Sequence, residues 1–417
     1  MPDRIETLAE GVTLYLGDCR EILPALAASS IDSCVTDPPY HLNFMGKEWD
    51  GGDVAFRAET WRAVYRVLKP GGHLLAFGGT RTHHRMACAI EDAGFEIRDC
   101  VMWLYGSGFP KSHDVSKGID RAAGAERIVT RNGTVQRNGY GDDWDTNSSG
   151  DRPRKDLPAT DAAREWEGWG TALKPACEPI VLARKPLGED TVAANVLRWG
   201  TGAINIDGCR IATDALIDDS RLGGKGDWSG AKLGYHGSKS EIRHPSSSLG
   251  RWPANVVHDG SEEVVAAFPE SGGSRIEKPC DRTFKAFADG GLGGSRGPRG
   301  FDDEGSAARF FYTAKADDHD RIGSKHPTVK PLDLMQYLVR LVTRKGGTVL
   351  DPFAGTGTTG EAAFREGMRA VLIEAEPQYQ DDIRRRMKLA MAGPDERSRE
   401  SIKAKNLPRN DGPLFCL

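Results

Sequence analysis

The stretch TVLDPFAGTGTTGEAAF (348–364) packs a strand, a glycine turn and the start of a helix into one run. TVLD (348–351) reads as a strand, the glycine-rich stretch after it as a turn, and the remainder of the run as the opening of a helix. Glycines 355, 357 and 360 satisfy G-x-G-x-x-G, and Glu374 lies 19 residues after Gly355, ending the next apolar run RAVLIEAE (369–376). Just upstream, Met335, Leu338, Val339 and Val342 form the apolar face of another helix. Strand, turn, helix and strand in this order predict a parallel α/β sheet. A merely structural turn also accounts for the glycines taken alone.

The same alternation fills the first hundred residues. VTLYLGD (12–18), SCVTDPPY (33–40), GHLLAFGG (72–79) and FEIRDCVMWLYG (95–106) read as strands, and helices are predicted over 21–28, 56–68 and 81–93. Trp61, Val64, Tyr65 and Leu68 give the second of these its stripe, and Lys69-Pro70-Gly71-Gly72 ends it. The fold class is therefore α/β, a doubly wound, mostly parallel sheet with ligands at the carboxyl ends of its strands. Two segments break the rhythm. Residues 107–170 are polar without a sustained period, and EPIVLARK (178–185) follows as one more strand. Residues 186–325 hold 22 of the 50 glycines and read as inserted, loop-built modules rather than sheet core. The expected catalytic domain is thus 1–106 with 171–186 and 326–392, interrupted by insertions at 107–170 and 187–325, with a solvated tail at 393–417.

The 417 residues suffice for one large α/β domain with insertions. Their 56 basic and 60 acidic side chains give no global basic field, so any nucleic-acid contact must come from local patches. No apolar run approaches the roughly 18 residues of a membrane span, and the opening MPDRIETLAEGVTLYLGD lacks the order of a signal peptide, so a soluble, cytoplasmic protein with no membrane partner is expected. The eight cysteines include no CxxC pair, and His83, His84, His319 and His326 are not at metal spacing, so no metal is expected.

Asp37-Pro38-Pro39-Tyr40 directly follows an apolar strand. Such a tetrapeptide can be a strand-ending turn. It also fits a specific chemistry. The exocyclic amine of a nucleobase is a poor nucleophile because its lone pair is delocalised into the ring. A carboxylate from Asp37 and the carbonyl of Pro38, each accepting one N–H, would free that pair, two prolines would hold the acceptors still, and Tyr40 would stack on the base. The glycine loop admits either a dinucleotide or S-adenosylmethionine. Only about forty residues follow Glu374, too few for the further strand-helix units of a dinucleotide fold. A methyl donor also gives the tetrapeptide a purpose that hydride transfer does not.

TDPPY (36–40), WGTALKPACEPIVLARKP (169–186), HPTVKPLDLMQYLVRLV (326–342), TVLDPFAGTGTTG (348–360) and VLIEAEPQY (371–379), in this order, resemble the beta-class DNA amino-methyltransferases of phage and restriction-modification systems. The resemblance implies a Rossmann-like S-adenosylmethionine-dependent fold with circularly permuted motifs, the cofactor S-adenosyl-L-methionine, and methylation of adenine N6, with cytosine N4 as the alternative. It implies Asp37, Pro38, Pro39 and Tyr40 as catalytic, and Asp18, Thr328, Lys330, Asp351, Phe353, Gly355, Gly357 and Glu374 as cofactor-binding. Asp18 reads equally as a helix cap, and a surface lysine is the alternative for Lys330. The expected partner is double-stranded DNA, with a homodimer and a cognate restriction endonuclease left open.

A base inside a duplex can be reached only by swinging it out of the stack. The target-recognition segment 187–325 offers Arg221, Lys225, Lys232, Lys239, Arg243 and Arg251 beside Trp228, Tyr235 and Trp252, and a second basic stretch at 282–300, for DNA contacts; taken residue by residue, a solvated face or disordered loop is the ordinary reading of such runs. Trp144, Trp166 and Trp169 are further candidates for the base cleft, or core. An RNA or protein amide methyltransferase, a nicotinamide oxidoreductase and a non-catalytic DNA-binding protein remain competing readings.

Overall fold

The computed structural model describes residues 4–40, 52–108, 110, 112–130, 155–212, 250–271, 305–314, 318–324, 326, 328–392, 396 and 399. The described residues fall into two compact units, one within 4–107 and 177–399 and the other within 108–176.

The larger unit is built on a ten-stranded sheet. Its strands are β1 (Ile5–Ala9), β2 (Val12–Leu16), β3 (Ile31–Thr36), β4 (Leu68–Phe77), β5 (Glu96–Leu104), β6 (Cys177–Arg184), β7 (Val256–His258), β8 (Tyr312–Thr313), β9 (Thr348–Asp351) and β10 (Arg369–Glu374). They lie in the order β1-β2-β10-β9-β3-β4-β6-β5-β7-β8. The pairs β2·β10, β10·β9, β9·β3, β3·β4, β5·β7 and β7·β8 are parallel. Antiparallel pairing is confined to the β1·β2 hairpin and to β6, which runs against both β4 and β5. The sheet is therefore mostly parallel and doubly wound, as its alternating sequence predicts.

Alternation along the central strands sends neighbouring residues to opposite faces. Cys34, Leu74 and Ala76 join a core with Trp61, Val64, Val67, Met86 and Ile90 of the helices Ala58–Val67 and His83–Asp92. Val35, Leu75 and Phe77 join the other core with helices Leu332–Val342 and Thr358–Arg365. All six residues of β3 are buried, the mark of a strand covered on both sides. Its three polar members are accounted for, Thr36 by donating to Asp351 at 2.6 Å. Ser33 shares a 2.6 Å hydroxyl contact with Thr343, and Asp32 accepts from Lys69 Nζ at 2.7 Å and the Thr348 amide at 2.8 Å.

The chain leaves β3 toward one face of the sheet and leaves β9 toward the other. That divergence between adjacent parallel strands is the switch point at which such sheets open a crevice. It lies where Asp37 follows β3 and the glycine turn follows β9.

Two expectations require correction. The segment 187–325, read as loops outside the sheet, supplies β7 and β8, and Val257 is fully buried. Strands of three and two residues are too short to display a period, which is why the sequence hid them. The helix expected over 21–28 is one turn, Cys19–Ile22, passing into a 3-10 turn over Leu23–Ala25, where Pro24 lacks a donor.

The smaller unit contains helices Val115–Ala122 and Asp161–Glu165 and the ribbon Ile128–Thr130 with Lys155–Leu157. Its hub is polar: buried Asp120 accepts from Arg127 Nε, the amides of Ala159 and Thr160, and the Thr160 hydroxyl. A hub of that kind leaves no apolar stripe to read. Of the tail, only residues 396 and 399 are among those described. Among the described residues no helix is long and apolar enough to cross a membrane.

Asp32 staples β3 to β9 and to Lys69 from a position 1% exposed. Asp32→Ala strands a half-buried ammonium and a buried amide, and is expected to lower the unfolding free energy by about 3 kcal/mol. Urea denaturation checks this; an unchanged midpoint contradicts the staple.

Candidate active site

Asp37 follows the last residue of β3, and Pro38 is buried behind it. Both carboxylate oxygens of Asp37 are engaged. Oδ1 accepts from the Tyr40 hydroxyl at 2.7 Å, and Oδ2 pairs with Lys330 Nζ at 2.9 Å. A second carboxylate, Glu178 at the head of β6, holds the same two groups: Oε2 lies 2.9 Å from Lys330 Nζ and 3.0 Å from the Tyr40 hydroxyl. Lys330 also donates to that hydroxyl at 3.2 Å, and its Nζ lies 4.9 Å from the centre of the Phe77 ring. Four polar side chains from three distant stretches thus meet in one knot.

The electrostatics of the knot are decided by the ammonium. Lys330 is 6% exposed, and burial alone would push its pKa down. The carboxylates of Asp37 and Glu178 outweigh burial and hold it above its ordinary value. At about 3 Å and an effective dielectric near 20, each attraction is on the order of 5 kcal/mol, comparable to the several kcal/mol lost in desolvating an ion. The knot is stable as a unit and carries one net negative charge. Burial, then the two carboxylates, push the Tyr40 hydroxyl well above its ordinary value, so it stays a donor.

The glycine turn at the end of β9 is tied to β3. Asp351 is buried and accepts from Thr36 Oγ1 at 2.6 Å, Thr359 Oγ1 at 2.6 Å and the Phe353 amide at 3.1 Å. Burial pushes its pKa up to about 6 against those donors. Gly355 has φ +53°, a conformation that favours glycine, and its amide donates to Glu374 Oε2 at 2.7 Å. Gly360 serves packing: a Cβ there would come within 2.5 Å of Leu372. Glu374 also accepts from the Glu376 amide at 2.8 Å, and burial pushes its pKa up to about 7.

Asp18 follows β2, whose Leu16 pairs with Glu374 on β10, so the two acids end adjacent strands. Asp18 caps the Cys19–Ile22 turn by accepting from the Arg20 amide at 2.8 Å, and the Arg20 guanidinium holds its carboxyl below the usual range. Thr328 donates its amide to His326 Nδ1 at 3.2 Å. The His326 ring packs edge-on to Tyr379 and lies against Gly355, and burial pushes its pKa down to about 4.

The sheet therefore brings Asp37, Pro38, Tyr40 and Lys330 into one cluster, with Asp351, Phe353, Gly355, Gly357 and Glu374 at the neighbouring strand ends. Lys330 bonds to the tetrapeptide itself. Arg251 exchanges two backbone hydrogen bonds with Ile211, and its guanidinium reaches the Arg309 carbonyl and lies over the Phe310 ring at 4.5 Å. Arg221, Lys225, Lys232, Lys239, Arg243, the stretch 282–300 and Trp144 lie outside the described residues. Trp166 and Trp169 form an exposed edge-on pair in the smaller unit, and so are not core. Among the described residues no group of acids, histidines or cysteines has metal-site geometry.

Sequence reasoning missed Glu178 and Arg386. Glu178 carried a signal, a lone acid heading the apolar run PIVLA. Arg386 lies in the stripe of Tyr379, Ile383 and Met387 on helix Pro377–Ala392 and is fully buried. Its guanidinium donates to the Thr356 carbonyl at 2.7 Å, to Glu361 at 3.0 Å and to the Asp320 carbonyl at 2.6 Å, holding the glycine turn from beneath.

Comparisons with known proteins bear on this arrangement. Residues 31–128 and 251–385 match the family model described as DNA methylase. The type II methyltransferase M.BglI of Bacillus subtilis is 46% identical over 379 residues, 88% of this chain and 83% of that one. The type II methyltransferase M2.DpnII of Streptococcus pneumoniae is 41% identical over 68 residues, a match covering 16% of this chain and 25% of that protein. Among solved structures, a DNA modification methylase of Thermus thermophilus, complexed with S-adenosyl-L-methionine, is 18% identical with a TM-score of 0.43, covering 91% of this chain and 94% of that one.

Arg386→Met removes one partner of a fully buried ion pair and two carbonyl bonds. The expected result is a loss of about 3–5 kcal/mol of stability and faster amide exchange over 354–357 than in the remainder of the sheet core. Unaltered exchange there would contradict the supporting role.

Proposed function

Because the chain belongs to the DNA methylase family, we propose that it transfers the methyl group of S-adenosylmethionine to the exocyclic amine of a base turned out of double-stranded DNA, adenine N6 in the first instance. The observation that carries this reading is the adjacency of Asp37 and the glycine turn at the ends of β3 and β9. Cytosine N4 is the second reading, because both bases present the same kind of amine; the acidic first residue of the tetrapeptide favours adenine through the resemblance that its motif carries.

The residues at the ends of β2, β9 and β10 fit a nucleoside. Glu374 presents two acceptor oxygens beside a glycine whose backbone a ligand can approach, which suits a ribose diol, and Asp18 ends the neighbouring strand. Gly355, Gly357 and Phe353 would line the approach, and Thr328 would stand at its far side. S-adenosylmethionine supplies an electrophilic methyl on a sulfonium centre when bound. Asp37 would accept one N–H of the target amine and the Pro38 carbonyl the other, freeing the nitrogen lone pair along one direction. As the nitrogen gains carbon, its proton would pass to Asp37, whose position at a strand end keeps it near solvent. Tyr40 would face the base. The segment 187–325 would grip DNA and repay the unstacking, on the order of a few kcal/mol, with backbone contacts.

Incubation with labelled donor and unmethylated DNA, followed by nucleoside mass analysis, tests the reading. Label on N6-methyladenine is expected, and Asp37→Ala is expected to reduce it at least 100-fold while donor binding persists. Label on N4-methylcytosine would replace adenine by cytosine. No labelled DNA, with Asp37→Ala indistinguishable from wild type, would overturn the reading.

The Glu374 carboxyl makes donor binding pH-dependent. Its folded pKa of about 7 exceeds its ordinary 4.5, so between those values the folded protein holds a proton that the unfolded chain has lost. That carboxyl's contribution to stability therefore falls as pH rises through the window. Hydroxyl donors from a ribose favour the ionised form, so affinity for S-adenosylmethionine is expected to rise from pH 6 to 8, and Glu374→Gln to flatten the rise. Calorimetric titration across that range checks both; a flat wild-type profile contradicts the linkage.

A further inference from the structure

Lys330 stands where the target amine has to go. Its ammonium donates to an oxygen of Asp37, the acceptor that the proposed chemistry reserves for the base, and the same ammonium is bound to Glu178 at equal distance. Its remaining bond is the longer one to Tyr40. An incoming amine must displace Lys330 from Asp37, and the displaced N–H then needs another acceptor within a buried site.

The base itself offers one. In both adenine and cytosine the carbon bearing the amine is flanked by a ring nitrogen with an in-plane lone pair. The edge therefore reads donor then acceptor, and Asp37 beside Lys330 reads acceptor then donor, 2.9 Å apart. Thymine presents a carbonyl and an N–H there, the reverse order, and meets like against like.

We propose that Lys330 is a placeholder for the target amine that turns, on base entry, to donate to the ring nitrogen beside that amine, while Glu178 keeps it in the site. This rests on the amino-methyltransferase reading above and adds to it the feature of the base that is read. Glu178 acts as a positioning residue. Without its charge the ammonium would keep Asp37 as its one carboxylate partner among the described residues, and would compete with the substrate for that oxygen. With it, Lys330 exchanges one partner and retains another. Trp103 lies directly opposite Glu178 in the β5·β6 register, and the Phe77 ring packs against the ammonium.

The test is a cycle between enzyme and base. Wild type and Lys330→Met are assayed on duplexes carrying the natural target base or its analogue with carbon in place of the adjacent ring nitrogen, 1-deazaadenine or 3-deazacytosine according to which base wild type methylates. One hydrogen bond from a charged group predicts that either change alone lowers kcat/KM about 10- to 100-fold and that the second then adds less than about 3-fold. Donor affinity in Lys330→Met is expected to stay within about 3-fold of wild type. Glu178→Gln is expected to raise KM for DNA more than it lowers kcat. Independent, multiplying losses, or a tenfold weakening of donor binding with no change on DNA, would overturn the proposal. Should Lys330→Met fold poorly, Glu178→Gln/Lys330→Met removes the charges together and gives the same cycle. An inactive wild type would sink the methyltransferase reading, whereas an active wild type with a multiplicative cycle would sink only this inference.

Discussion

The buried carboxylate of Asp351 is what makes a site out of two strand ends. It takes a hydroxyl hydrogen bond from Thr36, the residue before Asp37, and another from Thr359, in the first turn of the helix after the glycine loop. A single acid thereby fixes the tetrapeptide relative to the loop, and its three donors leave no orphaned oxygen in the core. Asp32 does the same at the opposite ends of β3 and β9. Between these two staples the strands cannot slip, and a one-residue slip would turn Asp37 to the wrong face.

On that rigid edge the charges are arranged in two groups with different tasks. Around Lys330 a buried cation neutralises all but one unit of the carboxylate charge, so Asp37, the proposed acceptor for an amine, is already held in place. Around Glu374 the bonded donors are backbone amides, and burial leaves the acid near neutrality, poised to ionise when hydroxyl donors arrive. Arg386 and Glu361 neutralise each other beneath the loop and contribute rigidity without altering either group. On the proposed reading, that separation would let one small sheet edge hold an electrophile on one side and an amine on the other.

Most of the sheet was legible because its strands are buried on both faces and alternate with amphipathic helices, the strongest pattern a sequence can carry. Asp37 to Tyr40 and Gly355 to Glu374 were legible because rigid and permissive backbones need particular residues, and these stand out beside apolar runs. Glu178 and Arg386 were not, since each is a single charge whose partners are remote in sequence and appear only on folding. For Lys330 the resemblance of HPTVKP implies the cofactor side; its bonds to Asp37 and Tyr40 depend on a neighbour relation between β3 and the chain entering helix Leu332–Val342 that periodicity does not encode. β7 and β8 were too short to announce themselves, and the smaller unit is organised by the polar hub of Asp120.

The central claim is that donor and acceptor meet across the β3·β9 switch point. A crystal structure with S-adenosylhomocysteine and a target duplex tests it directly. The account predicts the thioether sulfur on the Phe353 side of the crevice and the target amine on Asp37 and the Pro38 carbonyl, close enough that one added methyl would bridge them at a near-attack separation of about 3–3.5 Å. A sulfur at the far edge of the sheet, or a base amine bonded elsewhere than Asp37, would contradict it.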